Sequence, residues 1–280
     1  MIGIDILYWD VFSVEMIAVY LWLVMGLLII ASILNTISIA AVAWMLYGVY
    51  WLTQPLKFLD YGDWFNAVLT LLGSFFCFGI AYFSYIAYTK KRNDDTLITA
   101  TRVAALGGIY YFSFAEIEPL NLWLRSLVTD QTMWLLNSLA IPAIKLDPIH
   151  IYFKSQTVEI ILACTAIESM ALFAGLTLCI NAPLRNRLLA FLISVPVVYI
   201  LNLFRNAFVI AAYGYEWFGS AEESFYIAHH VISKFASLAA LILIAYYVFK
   251  ILPELLEFIS NIIDMFVDKF GKGGKNGTPR

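Results

Sequence analysis

A thiol, a guanidinium and an imidazole stand on three successive apolar stretches of this chain. The thiol is Cys164, in the patch Ala163-Cys164-Thr165-Ala166-Ile167-Glu168-Ser169. Arg205 follows in the next apolar stretch, and the pair His229-His230 opens the one after it. A thiol attacks a carbonyl only as thiolate, so it needs a neighbouring base or cation to lower its pKa. His229 can take that proton and return it to a departing amine. Arg205 stays protonated at any working pH, and its permanent charge suits an oxyanion or a carboxylate. Asn202, Arg205, Asn206 and Val209 fall at i, i+3, i+4 and i+7, so both asparagines share the arginine's helix face. Glu168, one helical turn past Cys164, is the expected ion-pair partner of Arg205.

Each residue alone also has a plainer reading. Cys164 can be a structural thiol, Arg205 half of a folding ion pair with Glu168, and the two histidines interfacial residues without chemistry. A charged side chain in a bilayer costs roughly 2.5–3.5 kcal/mol on insertion scales, so Arg205 needs a partner or a task. Cys77 and Cys179 lie in apolar runs and read as small buried hydrophobes. No cysteine sits in a CxxC or Cys/His spacing and no His-Glu-x-x-His occurs, so neither metal nor cofactor is expected. Glu222, Glu223 and Phe225-Tyr-Ile-Ala-His229 resemble the paired glutamates and Phe-x-x-x-His of intramembrane glutamate proteases. That family also carries an arginine shortly after the glutamates, which is missing here, and the two acids read as loop residues.

The elements that must position these groups are membrane helices. The chain has 280 residues, of which 62% are hydrophobic and 13% charged, and its mean hydropathy is +0.82. A soluble core of this size cannot hide so much apolar surface, and a spanning helix needs about 20 mostly apolar residues. The reading is an all-α, polytopic integral membrane helical bundle. Spans are expected near 14–32, 35–52, 64–89, 97–115, 158–180, 188–213 and 226–249, seven in all, with Asn35 at the first turn and Arg102 snorkelling to an interface. The stretch 121–140 holds Arg125, Asp130, Gln131 and Asn137 and reads as an interfacial or re-entrant helix, not a span. Residues 141–154 read as an external loop, and the end of the chain as an amphipathic helix followed by a disordered tail. The net charge of −3, without a basic patch, argues against nucleic acid as a partner. The first residues lack the basic region and small-residue cleavage site of a removable signal peptide.

Lysine and arginine mark the cytoplasmic loops. Lys90, Lys91 and Arg92, Arg185 and Arg187, and Lys250, Lys269, Lys272 and Lys275 are therefore placed inside. Asp5, Asp10, Asp60, Asp63, Glu116, Glu118, Glu222 and Glu223 fall outside. Seven spans with the N-terminus outside satisfy all of these loops. Cys164, Arg205 and His229 then share one depth near the extracytoplasmic face of the plasma membrane. The expected division is 1–96 for N-terminal spans, 97–250 for a catalytic membrane core and 251–280 for a cytoplasmic tail.

The blocks Ala163-Cys164-Thr165-Ala166-Ile167-Glu168-Ser169, Asn202-Leu-Phe-Arg205-Asn206 and Ala228-His229-His230-Val231 resemble the exosortase/archaeosortase family of membrane transpeptidases. The archaeosortase A branch is the nearest, and Thr101-Arg-Val-Ala-Ala-Leu-Gly-Gly-Ile-Tyr110-Tyr111 with Glu118-Pro119 is also similar to it. The resemblance implies an enzyme that reads a C-terminal tripartite signal on exported surface proteins: a short Pro-Gly-Phe-like motif, a transmembrane stretch and a basic end. It implies cleavage near the motif and linkage of the new C-terminus to a membrane lipid. It assigns Cys164 as nucleophile, Arg205 as the first basic residue and His229 as the third, with tandem His230 an alternative by one position. Glu168, Asn202 and Asn206 are supporting residues. The partners implied are surface-protein precursors and a lipid acceptor; the oligomeric state is left open. The competing reading is a lipid or small-solute transporter or binding protein with a polar Arg205/Glu168 cavity. No inverted hydropathy repeat of transporter type is visible.

Overall fold

In a bilayer the backbone must bond to itself, so long charge-free runs become helices. The computed structural model describes residues 14–60, 62–92 and 94–271. Asp5 and Asp10, Lys272 and Lys275, and the tail from 272 onward lie outside the described residues. Six helices there are long and apolar enough to cross a membrane. The chain divides into two compact units, one built from residues up to Leu106 and from Glu257 onward, the other from Gly107 to Leu256.

The first unit holds α1 (Val14–Leu34), α2 (Ile37–Asp60), α3 (Trp64–Thr89), the start of α4 (Asp95–Glu116) and most of α10 (Pro253–Gly271). Asn35 makes the expected turn in the left-handed region, φ 50°, and its side-chain oxygen accepts from Arg102. Polar side chains here bond across helices: Trp44 Nε1 to Thr101 Oγ1 at 3.0 Å, Tyr20 to the Leu46 carbonyl at 2.6 Å and Ser74 to the Gly48 carbonyl at 2.8 Å. Phe266 of α10 stacks on Phe76 with ring centres 5.7 Å apart.

The second unit carries the residues of chemical interest. After the end of α4 come α5 (Glu118–Ser138), a small sheet, α6 (Ile167–Cys179), α7 (Leu184–Tyr215), α8 (Ala221–Tyr226), a π-helical turn at Ile227–Ile232 and α9 (Ser233–Ile251). The polar helix expected at 121–140 is α5. It buries Leu124, Val128, Thr132, Leu135 and Leu136, and it is not among the six membrane-crossing candidates. Tyr199 of α7 donates to Gln131 of α5 at 2.7 Å, which ties the two helices together.

Three expectations are corrected here. Residues 141–154 are not simply a loop, and 158–180 is not one continuous span. Strands β1 (Ile144–Lys145), β2 (His150–Phe153) and β3 (Gln156–Glu159) form an antiparallel sheet in the order β1-β2-β3. Val158 pairs with Ile151 instead of opening a helix. Lys154 and Ser155 both take positive φ, 47° and 69°, as a two-residue hairpin turn with right-handed strand twist requires. Only 13 residues of the expected span are α-helical. The short apolar run that opens it, Val158-Glu-Ile-Ile-Leu162, reads equally as strand or helix from periodicity, so pairing decides. The two acids expected in a loop instead open α8. Glu223 and Ser220 form a capping box, with Ser220 N–H donating to Glu223 at 2.9 Å.

The hairpin docks on the end of α7 because Gly214 has no side chain. A Cβ there would stand 2.2 Å from the Phe153 ring, which is itself buried. Gly214→Ala should therefore destabilise the second unit by about 1–3 kcal/mol, the usual cost of overpacking. Thermal unfolding of the detergent-solubilised protein, followed by intrinsic fluorescence, should show a lower midpoint, and Phe153→Leu should relieve part of it.

Candidate active site

α7 is the platform for the site. Asn202 and Asn206, one turn apart and both buried, donate their side-chain N–H groups to the Cys164 carbonyl at 2.6 and 2.9 Å. A carbonyl offers two lone pairs and can only accept, so the amide nitrogens of both asparagines must face it. Cys164 itself stands in a 3-10 turn, Leu162–Thr165, outside the long apolar helices. Its N–H donates to the Ile161 carbonyl at 2.9 Å, and the Thr165 hydroxyl to the Leu162 carbonyl at 2.7 Å. Ala166 then takes φ 58° and ψ 16°, a left-handed conformation, before α6 begins. Such a conformation costs of the order of 1–3 kcal/mol for a non-glycine residue and persists only where surrounding contacts over-determine it. The two asparagines supply such contacts.

Arg205, between the asparagines on the same face, sits 3.5 Å from Asn202 Oδ1 and 3.2 Å from His229 Nε2. A guanidinium has donors only, so His229 Nε2 must carry the lone pair and the ring proton sits on Nδ1. His229 is thus neutral in this arrangement, and its Nδ1 is buried without a hydrogen-bond partner. The ring stacks on Phe225, 5.1 Å between centres at 7°, and meets His230 edge-on at 4.6 Å. Both histidines lie in the π-helical turn Ile227–Ile232. Turns of this kind insert an extra residue into a helix and recur at functional sites.

The structure therefore brings Arg205 to His229, and Asn202 and Asn206 to the Cys164 turn. No hydrogen bond joins the Cys164 thiol to His229 or Arg205 among the described residues. Exposed His230 lies against Tyr226, 5.4 Å between ring centres. The expected Arg205–Glu168 ion pair is absent from the described residues. That pairing presumed one helix running through Cys164 and Glu168, and the left-handed Ala166 interrupts it. Glu168 and Arg205 instead line one cavity of about 420 Å³, together with Asn202, Ser233, Phe204 and Phe208. Ser233 is buried and its hydroxyl has no partner. Among the described residues no group of three or more His, Cys, Asp or Glu side chains can hold a metal ion.

Sequence reasoning placed Arg125 only as an interfacial charge. It is 14% exposed and reaches the strand end just before the Cys164 turn, with Nε bonded to the Ile160 carbonyl at 2.7 Å. Burial pushes the Cys164 thiol above its ordinary pKa. The Ile161 backbone, Arg205 and Arg125 pull the other way, and Glu159 opposes them. The available signal was an arginine on the buried side of an amphipathic helix, but its partner lies 35 residues away in sequence and could not be inferred.

Replacing both Asn202 and Asn206 by alanine should leave the Cys164 carbonyl without a side-chain donor, at about 1–3 kcal/mol for an unsatisfied buried acceptor. The turn should then open, and maleimide labelling of Cys164 in membranes should run faster than in the unaltered protein.

The family model described as Transmembrane exosortase (Exosortase_EpsH) matches residues 10–247. Archaeosortase A of Haloferax volcanii is 26% identical over 284 aligned positions, covering 87% of this chain and 92% of the relative. Archaeosortase A of Natronomonas pharaonis is 25% identical over 264 positions, covering 84% of this chain and 82% of the relative. No solved structure matches the chain. With a family match running across most of its sequence and through Cys164, Arg205 and His229, the chain belongs to the transmembrane exosortase family.

Proposed function

We propose that the protein is a membrane cysteine transpeptidase that processes the C-terminal tripartite signal of exported surface proteins. It cleaves near the short Pro-Gly-Phe-like motif and joins the new C-terminus to a membrane lipid. The observation that carries this reading is the placement of the Cys164 turn on the α7 face that also bears Arg205, with Arg205 in turn bonded to His229. Family membership and the two archaeosortase relatives support the same class of reaction. Residues 97–250 form the catalytic core, and the site faces the extracytoplasmic side.

In this mechanism the Cys164 thiolate attacks the peptide carbonyl, forming a thioester as the C–N bond breaks. The thiol proton passes to the His229 Nε2 lone pair, which exchanges its bond to Arg205 for one to the thiol when substrate binds. Catalytic hydrogen bonds often tighten only in such a complex. His229 then gives the proton to the departing amine. Arg205, freed from the imidazole, meets the oxyanion of the tetrahedral intermediate. A lipid head-group amine or hydroxyl attacks the thioester, forms the new bond and regenerates the thiol.

Cys164→Ala should abolish processing and leave full-length precursor on immunoblots of cells expressing a client protein. Arg205→Lys should cut processing by about 10²-fold or more, the scale of losing an oxyanion donor, because an ammonium cannot span both partners. Normal processing by the Cys164→Ala variant would overturn the nucleophile assignment. If Arg205 alone proves indispensable, the transporter reading prevails.

A further inference from the structure

One charge beside Cys164 has no place in the reaction as proposed. Arg125 of α5 donates Nε–H to the Ile160 carbonyl at 2.7 Å and a terminal N–H to the Glu159 carboxylate at 2.5 Å. Glu159 and Ile160 end the hairpin, and the turn bearing Cys164 follows directly. Arg125 is 14% exposed, so its charge is poorly screened, whereas Glu159 is 47% exposed. The other Glu159 oxygen lies 3.9 Å from His150 Nε2, and the His150 ring is 2.8 Å from Asp147. Backbone N–H groups of Ile149 and His150, together with the His150 ring, hold Asp147 below the usual carboxylate range. The row Asp147–His150–Glu159–Arg125 thus runs along the hairpin and ends behind the thiol.

We propose that Arg125 is a positioning residue for the Cys164 thiolate. It clamps the strand end that fixes the turn and supplies a second positive charge, and Glu159 sets how much of that charge the thiol feels. The proposal rests on the reading of Cys164 as nucleophile. A bare structural ion pair would need neither the hydrogen bond to the Ile160 carbonyl nor this location next to the turn. Burial opposes the thiolate, and two guanidinium groups, Arg125 on α5 and Arg205 on α7, offset part of that cost where charge is weakly screened, so the proton passes more readily to His229. The thiol carries opposing influences from Glu159 on β3. The other charged groups on the helices packed against its turn are Glu118 and Asp130 on α5, Glu168 on α6, and Arg185 and Arg187 at the far end of α7.

The test reads the thiol directly. Membranes holding the full-length protein are alkylated with iodoacetamide across a pH series, and modification of Cys164 is followed by peptide mass spectrometry. Arg125→Gln should move the alkylation midpoint up by about half a unit or more, since a cation favouring the thiolate is lost. Glu159→Gln should move it down, because the full Arg125 charge then reaches the thiol. Arg125→Lys should keep the midpoint near that of the unaltered protein yet slow precursor processing, because an ammonium cannot hold both acceptors in one fork. An unchanged midpoint in Arg125→Gln would overturn the proposal. So would Gln variants of both residues shifting the same way, as loss of a merely structural pair would produce, or a Lys variant shifting as far as the Gln one. Alkylation does not depend on turnover, so normal processing by Cys164→Ala would remove the nucleophile reading while leaving the Arg125 measurement intact.

Discussion

Two side-chain amides on one carbonyl organise this protein's site. Asn202 and Asn206 approach the Cys164 oxygen from successive turns of α7, and that double bond of attachment holds a 3-10 turn that would otherwise relax into helix. Ala166, two residues on, takes the left-handed conformation that ends the turn. The consequence is chemical as well as mechanical. The thiol is kept out of a regular helix, where its side chain would point back along its own axis, and is instead carried, half-buried, on a short bend next to a charged helix face. Arg205, three residues after Asn202, flanks the asparagines on the same helix face.

The charges follow from that arrangement. An arginine within a membrane helix ordinarily finds an acid, yet here the guanidinium leans on an amide oxygen and an imidazole lone pair. Neither partner cancels its charge. The cation therefore keeps its full field for whatever negative charge develops near Cys164, and a neutral imidazole sits within reach of it. Glu168 shares the cavity without neutralising Arg205, and the buried Ser233 hydroxyl adds a polar group to a wall that is otherwise largely apolar. On the other side of the turn Arg125 is tied to Glu159 and Ile160, so positive charge approaches from two helices and is moderated from one strand.

Small backbone irregularities carry much of this design. The π-helical turn at Ile227–Ile232 rotates the histidines relative to the rest of the helix, and the Ser220–Glu223 capping box fixes where that helix starts. The hairpin turn at Lys154–Ser155 and the side-chain-free Gly214 let β2 and β3 settle against the end of α7.

Charge-free runs of twenty residues are enough by themselves to specify membrane helices, because in a bilayer each backbone group must be bonded within its own segment and the requirement is local. The i, i+3, i+4 face of Asn202, Arg205 and Asn206 was legible for the same reason: helical periodicity belongs to the segment alone. The family likeness was carried by those same short blocks. The structure alone decided what Arg205 bonds to, because Glu168 and His229 compete for it from different elements and only their packing settles the outcome. It also decided that Val158 pairs as a strand and that Arg125 reaches across to Ile160, since hydrogen bonds between segments distant in sequence leave no periodic trace in either one. Residue types thus determined which chemistry is available in this chain, and long-range pairing determined which of those groups meet.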